Sequence, residues 1–299
     1  MKEIYARLET VRPGRTLFVR QVSMGQENSA TRLQLVCVHG LCGTERHFLP
    51  FLHALDHAVA SNDIWLQSIS YDWMGCGKSP LIPSFDAYHN RETEADLLAV
   101  LQRLDSSVPT VLLAHSYGPS IVAQVLPQIT SQLRLVGIVW VSTALKSDTI
   151  TFLADGGPPL MKLPTFVLRC MQPSLTNSFV QAAVLDSHTD VQTVVRNDSN
   201  ANDMWVAKCY HRHTCWAHVD LVQNLPIDHL VLHGAEDGLL PITAGQDLAN
   251  RLGTELIAID QASHMLMLEQ PTKMATAVAA FLSQRFAAPT AGSVPTSAA

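Results

Sequence analysis

The sequence predicts an α/β architecture, with a mostly parallel central sheet flanked by helices and a helical insertion late in the chain. Three observations predict it. Short, near-continuous Val/Ile/Leu runs recur along the 299 residues, as strands covered on both faces require. Stretches of helical spacing separate these runs, and such alternation marks a parallel sheet. The alternation then fails over residues 145–226.

Each element follows from its own pattern. Ile4 to Val11 and Thr16 to Val22 flank Arg12-Pro13-Gly14, which predicts an antiparallel hairpin at the sheet edge. Leu33 to Val38 reads as the first core strand and stops at His39-Gly40. Ile64 to Ser70 is the second, ended by the turn Gly75-Cys76-Gly77. Leu97, Leu98, Leu101 and Leu104 then share one helical face. Thr110 to Ala114 is the third strand, and Ile121, Val122, Val125, Leu126 and Ile129 mark the helix behind it. Pro127 predicts a kink or an early end there. Leu135 to Val141 is the fourth strand, His229 to Leu232 the fifth, and Glu255 to Ile259 the sixth. Met274, Val278, Phe281 and Leu282 place a last helix on the sheet. Between the fourth and fifth strands lie Gly156-Gly157-Pro158-Pro159, Pro164, Pro173 and several helical stretches. The expected division is a core of residues 1–144 and 227–286, a helical insertion of 145–226, and a disordered tail of 287–299.

Composition excludes several classes of function. With 47% hydrophobic and 15% charged residues, the chain has material for a sizeable core and does not read as disordered. Twenty Lys+Arg against 26 Asp+Glu give a net charge of −6, and no dense basic cluster offers a nucleic-acid surface. The first residues lack the apolar core of a secretory signal, and no uncharged apolar run reaches the roughly 18 residues of a membrane span. Six scattered cysteines read as free thiols in a reducing compartment, so the expected location is cytoplasmic.

The chemistry concentrates at strand ends. The third strand runs into Ala114-His115-Ser116-Tyr117-Gly118, with a helix pattern following. A serine on such a turn presents its hydroxyl at the carboxyl edge of the sheet. Gly118 lets helix and strand approach, while Ala114 stands where the pattern usually has a second glycine. Serine needs a base held by an acid. Asp237 follows the fifth strand, and His264 follows the sixth. Asp148, after the fourth strand, is the rival acid. The order Ser116, Asp237, His264, each after its own strand, is that of the α/β-hydrolase triad.

On these residues the chain resembles a capped α/β-hydrolase over roughly residues 30–286. His39-Gly40-Leu41 is similar to that family's oxyanion loop, and Tyr71 to Ser79 to its glycine loop. The His-Ser-Tyr-Gly elbow resembles abhydrolase-domain proteins related to the lysophospholipase and monoacylglycerol lipase groups. The resemblance implies that the Leu41 and Tyr117 N–H groups form the oxyanion hole, and that residues 145–226 cap the pocket. A serine nucleophile, where some relatives carry aspartate, implies an acyl-enzyme and a carboxylic ester substrate. It implies no metal or organic cofactor. A thioesterase or amidase with the same triad, and a non-catalytic binding protein on the same scaffold, are the alternatives. The expected partner is a small ester or lipid, with transient membrane contact open.

Other features have plainer readings. His39, His115 and His233 sit at strand ends and are expected to pack or hydrogen-bond beneath the site. Asp260 is expected to cap the loop before His264. Cys209 to His218 is rich in Cys and His, but its spacing fits no common zinc pattern and reads as a helix. Phe152, Leu153, Leu160, Met161, Leu163, Phe166, Val167, Leu168 and Met171 fit equally an apolar acyl pocket, a lipid-facing lid or ordinary helix packing.

Overall fold

Eight strands form one sheet in the order β1-β2-β4-β3-β5-β6-β7-β8. The computed structural model describes residues 1–130 and 132–286, so the expected tail of 287–299 lies outside the described residues. β1 (Lys2–Arg12) and β2 (Arg15–Met24) form the hairpin, turning through Gly14 at φ 71°. β2 pairs antiparallel with β4 (Ile64–Tyr71). β3 (Thr31–Val38), β4, β5 (Thr110–His115), β6 (Leu135–Val141), β7 (Asp228–Gly234) and β8 (Leu256–Ile259) are mutually parallel.

The central strands are apolar on both faces because helices cover both. Leu112 and Ala114 of β5 belong to one core cluster, and Val111 and Leu113 to the other, as the alternation of a strand dictates. The first face is covered by α2 (Asn90–Leu101) and α3 (Gly118–Ile129), the second by α1 (Leu49–Ala60) and the carboxyl-terminal helix. α3 continues through Pro127 and ends two residues beyond it. The missing N–H falls in the last turn, where it costs one hydrogen bond and the helix is about to stop anyway.

Between β6 and β7 the chain builds α4 (Thr165–Ala183), α5 (Thr189–Ala201) and α6 (Met204–His213). The ends of this excursion are tied together: Lys146 N donates to Ala217 O at 2.9 Å, and Val219 N to Lys146 O at 3.0 Å. After β7 come α7 (Ile242–Leu252), β8, the short α8 (Leu266–Glu269) and α9 (Pro271–Phe286). Met274, Val278, Phe281 and Leu282 of α9 are all buried. Each contributes about 1.5–3 kcal/mol relative to full exposure, as an upper estimate. No helix among the described residues is long and apolar enough to cross a membrane. Because β3, β5, β7 and β8 are parallel, the loops after them share one sheet edge, where a binding crevice belongs.

Candidate active site

Ser116 occupies the turn between β5 and α3 with φ 59°, a left-handed conformation that serine rarely adopts. Strain of this kind persists only where neighbours enforce it. Here Ser116 N donates to Val141 O at 3.0 Å, and Thr143 Oγ1 donates to Ser116 O at 2.6 Å. A Cβ on Gly118 would lie 2.7 Å from Val38 O and 2.8 Å from His39 O, so only glycine lets α3 start this close to β3. A Cβ on Gly40 would lie 2.6 Å from Ser116 Cβ. Ala114, at the other small position, is fully buried and fits.

Ser116 Oγ donates to His264 Nε2 at 2.9 Å, and His264 Nδ1 donates to Asp237 Oδ2 at 2.9 Å. The three residues thus meet from loops after β5, β7 and β8. Asp148 is exposed and takes no part, so geometry separates the two candidate acids. A Cβ on Gly234 would lie 2.0 Å from Ser263 O, so glycine is what lets the His264 loop cross the end of β7. Both Asp237 oxygens are surrounded by donors. Oδ1 accepts from Leu239 N at 2.8 Å and Leu240 N at 2.9 Å, and His233 Nε2 lies 3.3 Å from Oδ2. Burial alone would raise the pKa of this carboxyl, but His264, His233 and the Leu240 N–H outweigh burial and hold it well below the usual carboxylate range.

The loop after β3 is held in shape from both sides. His39 Nδ1 donates to Gly40 O at 2.7 Å, its Nε2 accepts from Trp73 N at 3.0 Å, and Cys42 has φ 54°. Burial lowers His39 to about 4, which keeps this ring neutral and fixes its tautomer. Neither the Leu41 nor the Tyr117 N–H has an acceptor among the described residues. Above Ser116 opens a cavity of about 640 Å³. Its walls are largely apolar, with Leu160, Met161, Leu175, Phe179 and Val195 from the inserted segment and Leu240 from the core. Phe152 and Phe166, by contrast, are exposed on the outside, and Leu168 packs in a small core of its own. The apolar residues of the insertion therefore divide between pocket, surface and packing.

Residues 35–277 match the alpha/beta hydrolase family, a span that contains Ser116, Asp237 and His264. The chain belongs to the alpha/beta hydrolase family. It is 24% identical over 250 residues to Protein ABHD8 of Homo sapiens, covering 78% of this chain and 54% of that protein. Protein ABHD8 of Mus musculus is 24% identical over 283 residues, covering 91% of this chain and 60% of the relative. The chain thus spans little more than half the length of these curated relatives. Among solved structures, an esterase from Exiguobacterium antarcticum superposes with TM-score 0.72 at 15% identity, covering 93% of this chain and 99% of its own. A thermophilic esterase from Thermogutta terrifontis gives 0.69 at 17% identity, covering 96% and 100%. At such identities these two likenesses speak for the fold.

In this alpha/beta hydrolase, several residues that hold the site escape a motif reading. Glu269 is buried, and its carboxylate accepts from Ser263 N and from Leu185 N, each at 2.9 Å. It fixes the residue before His264 and ties that loop to the segment after α4. Asp260, expected to cap this loop, is exposed, and its carboxylate makes no hydrogen bond among the described residues. The short loop is ordered from its buried side, which Asp260 does not face. The signal for Glu269 was a lone acid ending the apolar run Met265 to Leu268. Glu269→Gln turns an amide NH₂ toward one of two donors, and is expected to cost about 1–3 kcal/mol of stability. A urea titration against the unchanged chain reads this as a lower midpoint.

Tyr117 carries a second unforeseen task. Its hydroxyl donates to Cys215 O at 3.0 Å and accepts from Cys215 N at 2.8 Å and Asn90 Nδ2 at 2.6 Å. The residue after Ser116 is thereby fastened to the end of the inserted segment. The Cys/His-rich run disperses: Cys209 is buried, Tyr210 donates to Met74 O at 2.9 Å, and His213 lies against Phe85 and His89. No group of three or more His, Cys, Asp or Glu with metal-binding geometry occurs among the described residues. His115 and His233 are both buried, donating to His264 O at 2.9 Å and Leu240 O at 3.0 Å.

Proposed function

We propose that this protein hydrolyses carboxylic esters of an apolar acyl group through an acyl-enzyme on Ser116. The observation that carries the reading is the continuous relay from Ser116 Oγ through His264 to Asp237, both links being 2.9 Å long. His264 Nε2 takes the hydroxyl proton as Oγ attacks the ester carbonyl. The Nδ1–H, held by Asp237, fixes the tautomer that leaves Nε2 free to accept. Negative charge develops on the carbonyl oxygen, and the unpaired Leu41 and Tyr117 N–H groups are the donors proposed to receive it. Each such donor is worth about 3 kcal/mol of transition-state stabilisation. The tetrahedral intermediate collapses as His264 passes its proton to the leaving alkoxide. Water then attacks the acyl-enzyme, again giving its proton to His264, and the acid departs with Ser116 restored.

The apolar lining of the cavity supports an apolar acyl group, and α4 to α6 are proposed to cap it. No step calls on a metal or cofactor. Six free cysteines fit a reducing, cytoplasmic setting. The test is a panel of nitrophenyl esters of short and long chains, with acyl thioesters and anilides beside them. Esters are expected to give the highest kcat/KM, with a rise from acetyl toward longer acyl chains. Absence of ester turnover above buffer would overturn the reading.

A further inference from the structure

We infer that the cavity selects uncharged esters, and that His211 on its wall supplies a hydrogen bond to a hydroxyl carried by the substrate away from its reacting carbonyl. The inference rests on the ester-hydrolase reading and narrows its substrate class.

Charge decides the first half. Among the described residues lining the cavity, none is Lys or Arg. Asp198, the one carboxylate in the wall besides the relay, is already paired with Arg46 and accepts from His47 Nε2 at 2.8 Å. Burial lowers His47 to about 3 and takes His115 well below its ordinary value, so neither ring offers a cation. A carboxylate or phosphate inside this space would lose its water and find no Lys or Arg in the wall to pair with. The transient oxyanion differs, because it has backbone donors waiting for it.

His211 decides the second half. It lies on α6 with Ala207 and Met204, four and seven residues earlier, and all three line the cavity. That spacing is one helical face. The backbone carbonyl of His211 accepts from Thr214 N and Oγ1, while its ring nitrogens have no hydrogen-bond partner among the described residues. Burial lowers the ring to about 4, so it stays neutral and presents one donor and one acceptor. Two other polar side chains of the wall are spoken for: Asn202 Nδ2 donates to Cys42 O at 2.7 Å, and His47 is held by Asp198. A neutral, uncommitted imidazole in a wall it shares with Pro158, Leu160 and Trp216 suits a hydroxyl and repays poorly a methyl or an anion.

The test uses ethyl esters of three acids of equal length: hexanoic, ω-hydroxyhexanoic and adipic, the last as its monoester. A matching set of acetates carries the same three ends in the alcohol half. In wild type, kcat/KM for the carboxylate-ended probes is expected to fall roughly 100-fold below the methyl-ended ones, equivalent to about 2.7 kcal/mol. In at least one set, His211→Phe is expected to lower the ratio of hydroxyl-ended to methyl-ended kcat/KM by about tenfold. His211→Gln, which keeps a donor and an acceptor, is expected to hold that ratio within about twofold. If the Phe variant does not fold, His211→Leu takes its place.

Equal turnover of charged and uncharged probes, or a ratio unmoved by His211→Phe in both sets, would overturn the inference. Calorimetric binding of the same probes to Ser116→Ala separates it from the reading beneath it. If wild type hydrolyses nothing, the ester-hydrolase reading fails. The order of binding affinities, with its response to His211→Phe, then decides the selection of uncharged hydroxyl-bearing ligands.

Discussion

Replacing Ser116 with alanine is expected to lower kcat by roughly 10⁶-fold, to the background rate. The change removes only Oγ. The backbone at 116, with φ 59°, is held by Val141 O and Thr143 Oγ1 through main-chain atoms that alanine retains. Alanine bears the same left-handed strain as serine, so stability should change little. The variant therefore isolates the chemistry: circular dichroism and the thermal midpoint stay near wild type while steady-state ester hydrolysis disappears. A folded Ser116→Ala enzyme that keeps even a tenth of its activity would take the nucleophile's role from this residue.

Asp237→Asn is expected to cost about 10⁴-fold in kcat, and the reason is geometric as much as electrostatic. Every neighbour of this carboxylate donates: Leu239 N, Leu240 N, His264 Nδ1 and His233 Nε2. An amide cannot accept at both ends. With its NH₂ toward His264, Nδ1 must accept, the proton moves to Nε2, and the base can no longer take the Ser116 proton. With its NH₂ toward Leu239 and Leu240, donors face donors.

The same surroundings set a pH expectation. The folded pKa of Asp237 is depressed, so its contribution to stability is full above the unfolded carboxyl value of about 3.9. That contribution declines as pH falls below this value and is gone once pH has passed through the lower folded value. Across the range where ordinary carboxylates titrate, Asp237 stays ionised. The acid limb of kcat/KM in wild type therefore does not report this carboxyl. A limb that steepened into two protonations between pH 3 and 5, where ordinary carboxyls titrate, would contradict that assignment.

The central strands were legible because each is an apolar run whose cause is local: two covered faces leave no room for alternation. Ser116 was legible for a related reason, since a strand, a sharp turn and a helix start are neighbours in sequence. Choosing Asp237 over Asp148 was another matter. Both follow strands, and only the folded chain brings one of them to His264. Glu269 lay further from reach, because one of its partners, Leu185, is 84 residues away and uses a backbone N–H that no side-chain pattern marks. The tie from Tyr117 to Cys215, 98 residues on, was hidden likewise. Asp260 misled by proximity: four residues before His264, it faces water.

The most direct measurement is the site of covalent trapping. A fluorophosphonate incubated with the wild-type protein transfers its phosphonyl group to an activated serine and releases fluoride. Digestion and mass spectrometry then locate the adduct. One phosphonyl group on the peptide containing Ser116, with none on the Ser116→Ala protein, is the predicted result. An unmodified Ser116, or an adduct on any other residue, would contradict the account.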